Sequence, residues 1–537
     1  MFRFISENLW ILIPLCVACP SYLVMKLLEP VHYWEKRNIP HLKPWPLLGN
    51  FQDVILKKRN FTYVVEEYYK SFPNKRYFGI HQFHIPSLVI RDLDLIQRIT
   101  VKNFDHFIDH VNIVDTDLDP LFDLDPLFGK DLFSLTGQKW RDMRTTLNLS
   151  LAGNKIRTMF CLMSECAKQF NNYFLEKNED VIEVEMKELM SRYTNDVIAS
   201  CAFGIQCNSI SDEDNTFYKM NRAIISQRSM NIWILVPKSG RKIKINLIST
   251  EISTFFDGVI KDTIHARKEK NIIRPDMIHL LMEAMKDGEA EEESEHVYTG
   301  FAAVDDDSHA SAKTKPAKQE LSVEDIVAQT SISFLAGFET VSTLLSHCLY
   351  ELAVNVDVQK RLQQEIDDAF KKAEGKDLTY ECVVNMEYLD MVVSETLRKW
   401  PPVAILNRKC NKDFLIEGDE TYGEAPFLLK KGLGLMIPVY GLHMDPRYFP
   451  NPTSFDPERF SETNRENIVP YSYLPFGTGP RNCIGSRFAL LESKTLLTYI
   501  LSKFDVIAIS KTEIPLELAP DTASPLPKGF WLGLKKR

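Results

Sequence analysis

A segment near the C-terminus, Leu474 to Gly485 (LPFGTGPRNCIG), constrains this chain more than any other. Its glycines and prolines favour a tight irregular loop, and the following residues, Ser486 to Leu501, have helical periodicity. Cys483 is therefore expected at a helix N-terminus, where unpaired amides and the helix dipole favour thiolate over thiol. A thiolate flanked by an apolar ring and an arginine suits a large, partly anionic cofactor.

Two alternatives to a cofactor thiolate exist for this loop. Any single cysteine is most simply an inert buried thiol, and Gly477-x-Gly479 resembles the start of a dinucleotide fingerprint, but the third glycine position holds Asn482. The full pattern Phe-x-x-Gly-x-Arg-x-Cys-x-Gly resembles the haem-binding loop of the cytochromes P450, the haem-thiolate monooxygenases. That resemblance implies haem b as cofactor, Cys483 as the proximal iron ligand and Phe476 as a haem-contacting residue.

A second motif, Ala336 to Ser342 (AGFETVS), lies in a long stretch with helical character. Gly337 costs about 1 kcal/mol relative to alanine inside a helix. Its missing Cβ would let the helix approach a flat cofactor, while close helix packing is the alternative. Glu339 and Thr340 can hold water and pass protons, and the family resemblance makes them the oxygen-activation site.

Two further groups of residues extend the resemblance along the chain. Glu395 and Arg398, three apart, would by spacing alone form a surface salt bridge. In the family this pair is joined by an arginine, here Arg459, in a buried structural network. The resemblance also implies four ligands of the haem propionates: Trp140, Arg144, Arg408 and Arg481.

The branch of the family is indicated by Arg274 to Ala284 and by Tyr473 to Gly477, which resemble insect microsomal enzymes of family nine. That branch is associated with oxidation of foreign compounds such as plant toxins and insecticides. Family position implies a mainly apolar substrate pocket, which predicts a lipophilic ligand without identifying it. Its expected lining residues are Phe122, Phe133, Phe334, Ala336, Val403, Ile405 and Leu526.

The predicted fold is mainly α with small β-sheets, a cytochrome P450 fold in one large haem domain over residues 51–537. A membrane anchor is expected at 1–28 and a stiff proline-rich connector at 29–50. The uncharged run from Asn8 to Met25 is about 27 Å long as a helix, close to the roughly 30 Å bilayer core. A cleaved signal peptide and a core helix are the alternatives.

Charge placement bears on location and partners. Basic residues are more frequent after the apolar run than before it, which predicts a cytosolic catalytic domain on the endoplasmic reticulum membrane. Nine carboxylates between Asp287 and Asp307 account for the formal net charge of −9. They predict a solvated, mobile acidic loop at 286–320. A basic nucleic-acid-binding surface is not indicated.

The predicted activity is insertion of one oxygen atom from O2 into lipophilic substrates. Since the sequence carries no flavin or nicotinamide fingerprint, electrons are expected from NADPH through a membrane-bound cytochrome reductase, with cytochrome b5 optional. Lys139 and Arg141 are candidates for the docking face, or an ordinary solvated basic patch. The competing functions are a haem-thiolate isomerase or dehydratase, a non-catalytic haem sensor or carrier, and a membrane-anchored interaction protein without cofactor.

Overall fold

The computed structural model of the protein describes residues 32–111, 130–150, 153–230, 249–286, 299–304, 321–522 and 524–537. The expected membrane anchor at 1–28 and the expected pocket residue Phe122 lie outside these ranges. So do all nine clustered carboxylates, which fall in 287–298 and 305–320.

Helices dominate the described part of the chain, which confirms the predicted mainly-α fold with small sheets. The α-helices are α1 (Gln52–Ile55), α2 (Phe61–Ser71), α3 (Leu93–Gln97), α4 (Gly137–Ser150), α5 (Gly153–Leu175), α6 (Met186–Ile198), α7 (Thr216–Met230), α8 (Thr250–Lys270), α9 (Met277–Lys286), α10 (Val323–Val354), α11 (Val356–Lys372), α12 (Tyr380–Val384), α13 (Glu387–Lys399), α14 (Val439–His443) and α15 (Ser486–Leu501). Short 3₁₀ turns cover Glu35–Arg37, Phe104–His106, Glu420–Tyr422, Pro457–Phe460 and Arg465–Asn467, and π-helical turns cover Arg98–Lys102 and Ala199–Phe203.

The strands form three separate sheets. They are β1 (Tyr77–Gln82), β2 (Ile85–Ile90), β3 (Val181–Glu185), β4 (Leu406–Lys409), β5 (Phe414–Ile416), β6 (Phe427–Leu429), β7 (Gly434–Ile437), β8 (Phe504–Ile507) and β9 (Trp531–Lys536). The largest sheet has the order β1-β2-β7-β4, with β2 parallel to β7 and the other neighbours antiparallel. The others are β3-β9-β8 and β5-β6, both antiparallel.

The long helix α10 forms the centre of the core. A capping box starts it: the Ser322 hydroxyl accepts from the Asp325 amide, and the Asp325 carboxylate accepts from the Ser322 amide. Helices α6, α13 and α15 pack against it. Within the described ranges, α10 is the one helix that is long and apolar enough to cross a bilayer. Most of it is buried inside the protein. It is therefore a core helix.

Residues 32–50, within the expected stiff proline-rich connector at 29–50, contact the largest sheet. Trp34 is fully buried, and its indole Nε1 donates to the carbonyl of Ile80 at 2.9 Å. The Leu42 amide donates to the carbonyl of Gly79 at 3.0 Å, and the Gly79 amide donates to that of Pro40 at 2.7 Å. Burial of a large indole stabilises this segment on the body despite its prolines.

The segment Thr299–Val304, inside the predicted acidic loop, is docked on the core. Thr299 is fully buried, and the Phe301 amide donates to the carboxylate of Asp390 at 2.9 Å. The Phe301 ring lies 5.5 Å from Phe460 and 5.9 Å from Tyr473, centroid to centroid. The prediction of a solvated, mobile loop is therefore wrong for these residues, because an apolar run within the acidic stretch gains from burial.

Replacement of Phe301 by alanine tests this docking. Loss of the half-buried ring should lower the free energy of unfolding by about 2 kcal/mol, since its contacts with Phe460 and Tyr473 are removed. Ile273→Ala, at a side chain that is 83% exposed, should change stability by less than about 0.5 kcal/mol. Denaturant unfolding of both variants measures the difference, and equal midpoints would contradict the docking.

Candidate active site

The loop before α15 is shaped by two left-handed glycines, Gly477 (φ +77°) and Gly479 (φ +72°). A Cβ on Gly479 would overlap the carbonyl oxygen of Thr100 in the π-helical turn, so glycine is required there. The Cys483 amide donates to the carbonyl of Phe476 at 2.8 Å, which closes the loop. The sequence thus places Cys483 three residues before α15, as predicted.

The Cys483 thiol lies in an internal recess. Its side chain is accessible, yet the protein around it is dense enough that burial raises the pKa of the thiol. The Gly485 amide and the charge of Arg144 oppose this rise in the pKa. The expectation that the helix N-terminus favours thiolate is therefore outweighed by burial. A cation bound to the sulfur would reverse the balance, because metal coordination displaces the thiol proton.

Buried arginines surround the loop that carries Cys483. Arg408, on β4, is 1% exposed, and burial lowers the pKa of its guanidinium to about 10. It donates to the carbonyls of Asn407 (2.8 Å) and Thr478 (3.3 Å). Its Nε has no hydrogen-bond partner among the residues that the structure describes. A buried guanidinium held by neutral carbonyls needs an anion to offset its loss of hydration.

Arg481 adds a second buried cation. Burial, together with the charges of Arg408 and Arg144, lowers the pKa of Arg481 to about 8, and Asp109 at 3.8 Å opposes the shift. Its donors bond backbone carbonyls, including that of Leu135 at 2.7 Å. The site therefore concentrates positive charge in a region of low dielectric constant.

Arg144 and Trp140 complete this cluster from α4. Arg144 donates to the backbone oxygen of Asn482 at 2.9 Å and to its Oδ1 at 2.6 Å, which fixes the residue before Cys483. The Arg481 guanidinium lies 4.2 Å from the Trp140 ring centroid. Trp140, Arg144, Arg408 and Arg481 thus converge around one loop, although they come from three separate parts of the chain.

His110, for which the sequence alone indicates a structural or pocket role, faces the same cluster. Its ring stacks on Phe133 at 4.6 Å. Burial, with the charges of Arg408 and Arg481, holds the pKa of His110 well below its usual range. The imidazole is therefore neutral and adds no further positive charge.

The acid and alcohol of α10 have different partners. The Thr340 hydroxyl donates to the carbonyl of Ala336 at 2.6 Å, four residues back on its own helix. Glu339 forms an ion pair with Lys187 at 3.2 Å and accepts from the Ser524 hydroxyl at 3.4 Å. No sequence motif marks Lys187, which is distant in the chain and lies at the start of α6.

Gly337 has a packing role. A Cβ there would come within 2.8 Å of Ile198 Cδ1, on the last residue of α6. The alternative of close helix packing is supported at this position, since a Cβ would require the Ile198 side chain to move.

Glu395 and Arg398 form a fully buried bidentate pair, with both N–O distances 2.7 Å. Arg459 Nε lies 3.4 Å from the same carboxylate, and Arg398 also donates to the carbonyl of His443 at 3.1 Å. The expectation of a surface salt bridge, based on spacing alone, is wrong. All three residues lie together in the core.

The expected pocket residues divide into two groups. Phe334 is 1% exposed and packs 5.7 Å from Phe203 and Phe256 in an aromatic cluster, which places it in the core and not on a pocket wall. The others retain accessible surface: Phe133 (48%) and Val403 (47%) are exposed, Ala336 is exposed, and Ile405 and Leu526 are half-buried.

A mainly helical fold that holds an accessible thiol in a recess beside a cluster of buried arginines is the arrangement of a haem-thiolate protein. The Cytochrome P450 family model matches residues 39–531, so the chain belongs to the cytochrome P450 family. It is 40% identical over 526 residues to Cytochrome P450 9e2 of Blattella germanica, with 94% of each chain covered. It is 41% identical over 516 residues to Probable cytochrome P450 9f2 of Drosophila melanogaster, covering 94% of this chain and 95% of the relative.

These relatives confirm the resemblance to insect family nine, and membership makes the protein an oxidoreductase, a monooxygenase that depends on thiolate-ligated haem. The residues present fit that group. A haem carries two propionate carboxylates. Such anions would accept a hydrogen bond from Arg408 Nε, which has no partner among the described residues, and would offset the positive charge around Arg481.

Arg408→Met tests this fit. Loss of one buried charge-assisted contact should accelerate haem loss about tenfold, because such a contact contributes about 1.5–3 kcal/mol. Transfer of haem to excess apomyoglobin, followed by absorbance, measures the rate. Arg361→Met, which removes an exposed partner of Glu458, should leave the rate unchanged. Equal rates for both variants would show that Arg408 does not hold the haem.

Proposed function

We propose that this protein inserts one oxygen atom from O2 into lipophilic substrates, with xenobiotics such as plant toxins or insecticides as the class. The observation that carries the proposal is the accessible but enclosed Cys483 thiol beside the arginine cluster. Cys483 would hold the haem iron through its sulfur, and Trp140, Arg144, Arg408 and Arg481 would hold the propionates, with Phe476 of the same loop in contact with the haem. Bound through a thiolate, the haem supplies activation of dioxygen, since that ligand favours O–O cleavage.

Proton delivery is assigned to Thr340 and Glu339. The two are adjacent on α10, and the Glu339 side chain is 22% exposed, so its carboxylate can exchange protons with solvent. The Thr340 hydroxyl, at present bonded to Ala336, offers a second oxygen that both donates and accepts. Such a pair suits transfer of protons into an enclosed site.

The substrate class rests on the accessible expected pocket residues. Phe133, Ala336, Val403, Ile405 and Leu526 are all apolar, which favours a hydrophobic ligand over a charged one. Regiochemistry and the individual substrate depend on the pocket shape around that ligand.

The electron donor in this proposal is the NADPH–cytochrome reductase, with cytochrome b5 as an optional second donor. Lys139 is exposed and available to an acidic partner, whereas the Arg141 guanidinium is already paired with Asp105. The proposed location is the endoplasmic reticulum membrane, through a single anchor at 1–28, with the catalytic domain in the cytosol. Lipid is then a partner of the anchor, and nucleic acid is not a partner.

The decisive experiment compares wild type with Cys483→Ser in full-length protein. Wild type should show the carbon-monoxide difference band of thiolate-ligated ferrous haem and form oxygenated products from lipophilic compounds only with reductase and NADPH. The variant should lose both. Cys382→Ser, at an exposed cysteine, is the matched control. Turnover without reductase would instead support an isomerase or dehydratase, and haem binding without turnover a sensor or carrier.

Thr340→Ala tests proton delivery. The variant should keep its haem but divert electrons to peroxide, with product formed per NADPH lowered by roughly tenfold or more. Ser346→Ala, which removes another α10 hydroxyl bonded to a carbonyl four residues back, should leave this ratio unchanged. Unaltered coupling in Thr340→Ala would remove that role from the hydroxyl.

A further inference from the structure

Lys187 holds the turn of α10 that carries Thr340. Its Nζ lies 3.2 Å from a carboxylate oxygen of Glu339 and 3.3 Å from the backbone oxygen of the same residue. It also donates to the hydroxyls of Ser342 at 2.5 Å and Thr343 at 3.1 Å. All of its partners in the structure therefore lie within one helical turn, immediately before and after Thr340.

The placement of Lys187 is electrostatically costly. It lies in the first turn of α6, where the helix dipole disfavours a cation. Burial lowers the pKa of Lys187, and the opposing effect of Glu339 only partly compensates. An apolar residue would fill this space with less cost, so the ammonium group is expected to serve more than packing.

The Glu339 carboxylate is held at both of its oxygens. Lys187 contacts one oxygen, and the Ser524 hydroxyl, from the loop before β9, donates to the other at 3.4 Å. Thr340 does not share in these contacts, because its hydroxyl is bonded to Ala336. The orientation of the acid is therefore set by residues outside α10.

Helix α6, which carries Lys187, contacts α10 at two further positions. The Thr194 hydroxyl, on α6, donates to the carbonyl of Phe338 at 3.3 Å, and Ile198 occupies the space left by Gly337. Since α6 and α10 are in close contact at both positions, these contacts hold the backbone of Lys187 close to that of Glu339.

We propose that Lys187 is a positioning residue for oxygen activation: it fixes the Glu339 carboxylate, and the turn that carries Thr340, in the orientation that proton delivery requires. The proposal rests on the function proposed above. Lys187 acts through Glu339 and does not itself touch substrate or haem. A precisely oriented acid matters because small misplacements of a reacting group reduce rates strongly.

The test uses the full-length holoenzyme with Lys187→Met, Lys187→Arg, Glu339→Gln and the Met/Gln double variant. Lys187→Met should lower product formed per NADPH by about tenfold while peroxide rises. Lys187→Arg, which keeps the charge, should restore most of the coupling. The double variant should be no less coupled than Glu339→Gln alone. Changes in unfolding midpoint across wild type, Lys187→Met, Glu339→Gln and the double variant should be non-additive, because the two residues form one pair.

Lys399→Met is the matched control. Lys399 pairs with Glu351, also on α10, at 2.8 Å, and its side chain is 16% exposed, as is that of Lys187. A purely structural role predicts that Lys187→Met and Lys399→Met lose stability alike and keep normal coupling, and this result overturns the proposal. The proposal is also overturned if the losses of coupling in Lys187→Met and Glu339→Gln add up in the double variant. Absence of reductase-dependent product in wild type would instead defeat the proposed function on which the inference rests.

Discussion

The structure depends on an imbalance of buried charge around the thiolate loop. Arg144, Arg408 and Arg481 converge there, and within the described residues Asp109 and Asp131 are the acidic groups that act on Arg481. Arg408 and Arg481 donate to backbone carbonyls, which satisfy hydrogen bonds but supply no net negative charge. A bound dianionic cofactor therefore completes the electrostatics of the fold, and cofactor retention and stability are linked.

Two other buried arginines of the described residues are paired with carboxylates. Arg398 and Glu395 form two short hydrogen bonds, as do Arg267 and Asp276 at 2.6 and 2.5 Å. Arg408 differs from them, since it donates to neutral carbonyls, an arrangement that stability alone does not favour. The same reasoning directs attention to Lys187, whose partner is the acid assigned to proton delivery.

The sequence allowed prediction of features that a local pattern encodes, and the remainder depends on tertiary contacts. The loop ending at Cys483 and the long helix α10 were both predictable, because glycine, proline and apolar periodicity act locally. The burial of Trp34 and Phe301 was not, since prolines and acidic neighbours suggest solvent exposure while the apolar rings gain more from distant core partners. The Lys187–Glu339 pair joins residues that no spacing rule connects.

The docking of Trp34 has a geometric consequence for the membrane. With the proposed anchor ending at residue 28, five residues precede Trp34, a tether of about 20 Å when fully extended. So short a tether restricts rotation of the body relative to the bilayer. The same side of the molecule would then always face the lipid headgroups. Lipophilic compounds dissolved in the bilayer would reach that side at their membrane concentration, which is much higher than their aqueous concentration.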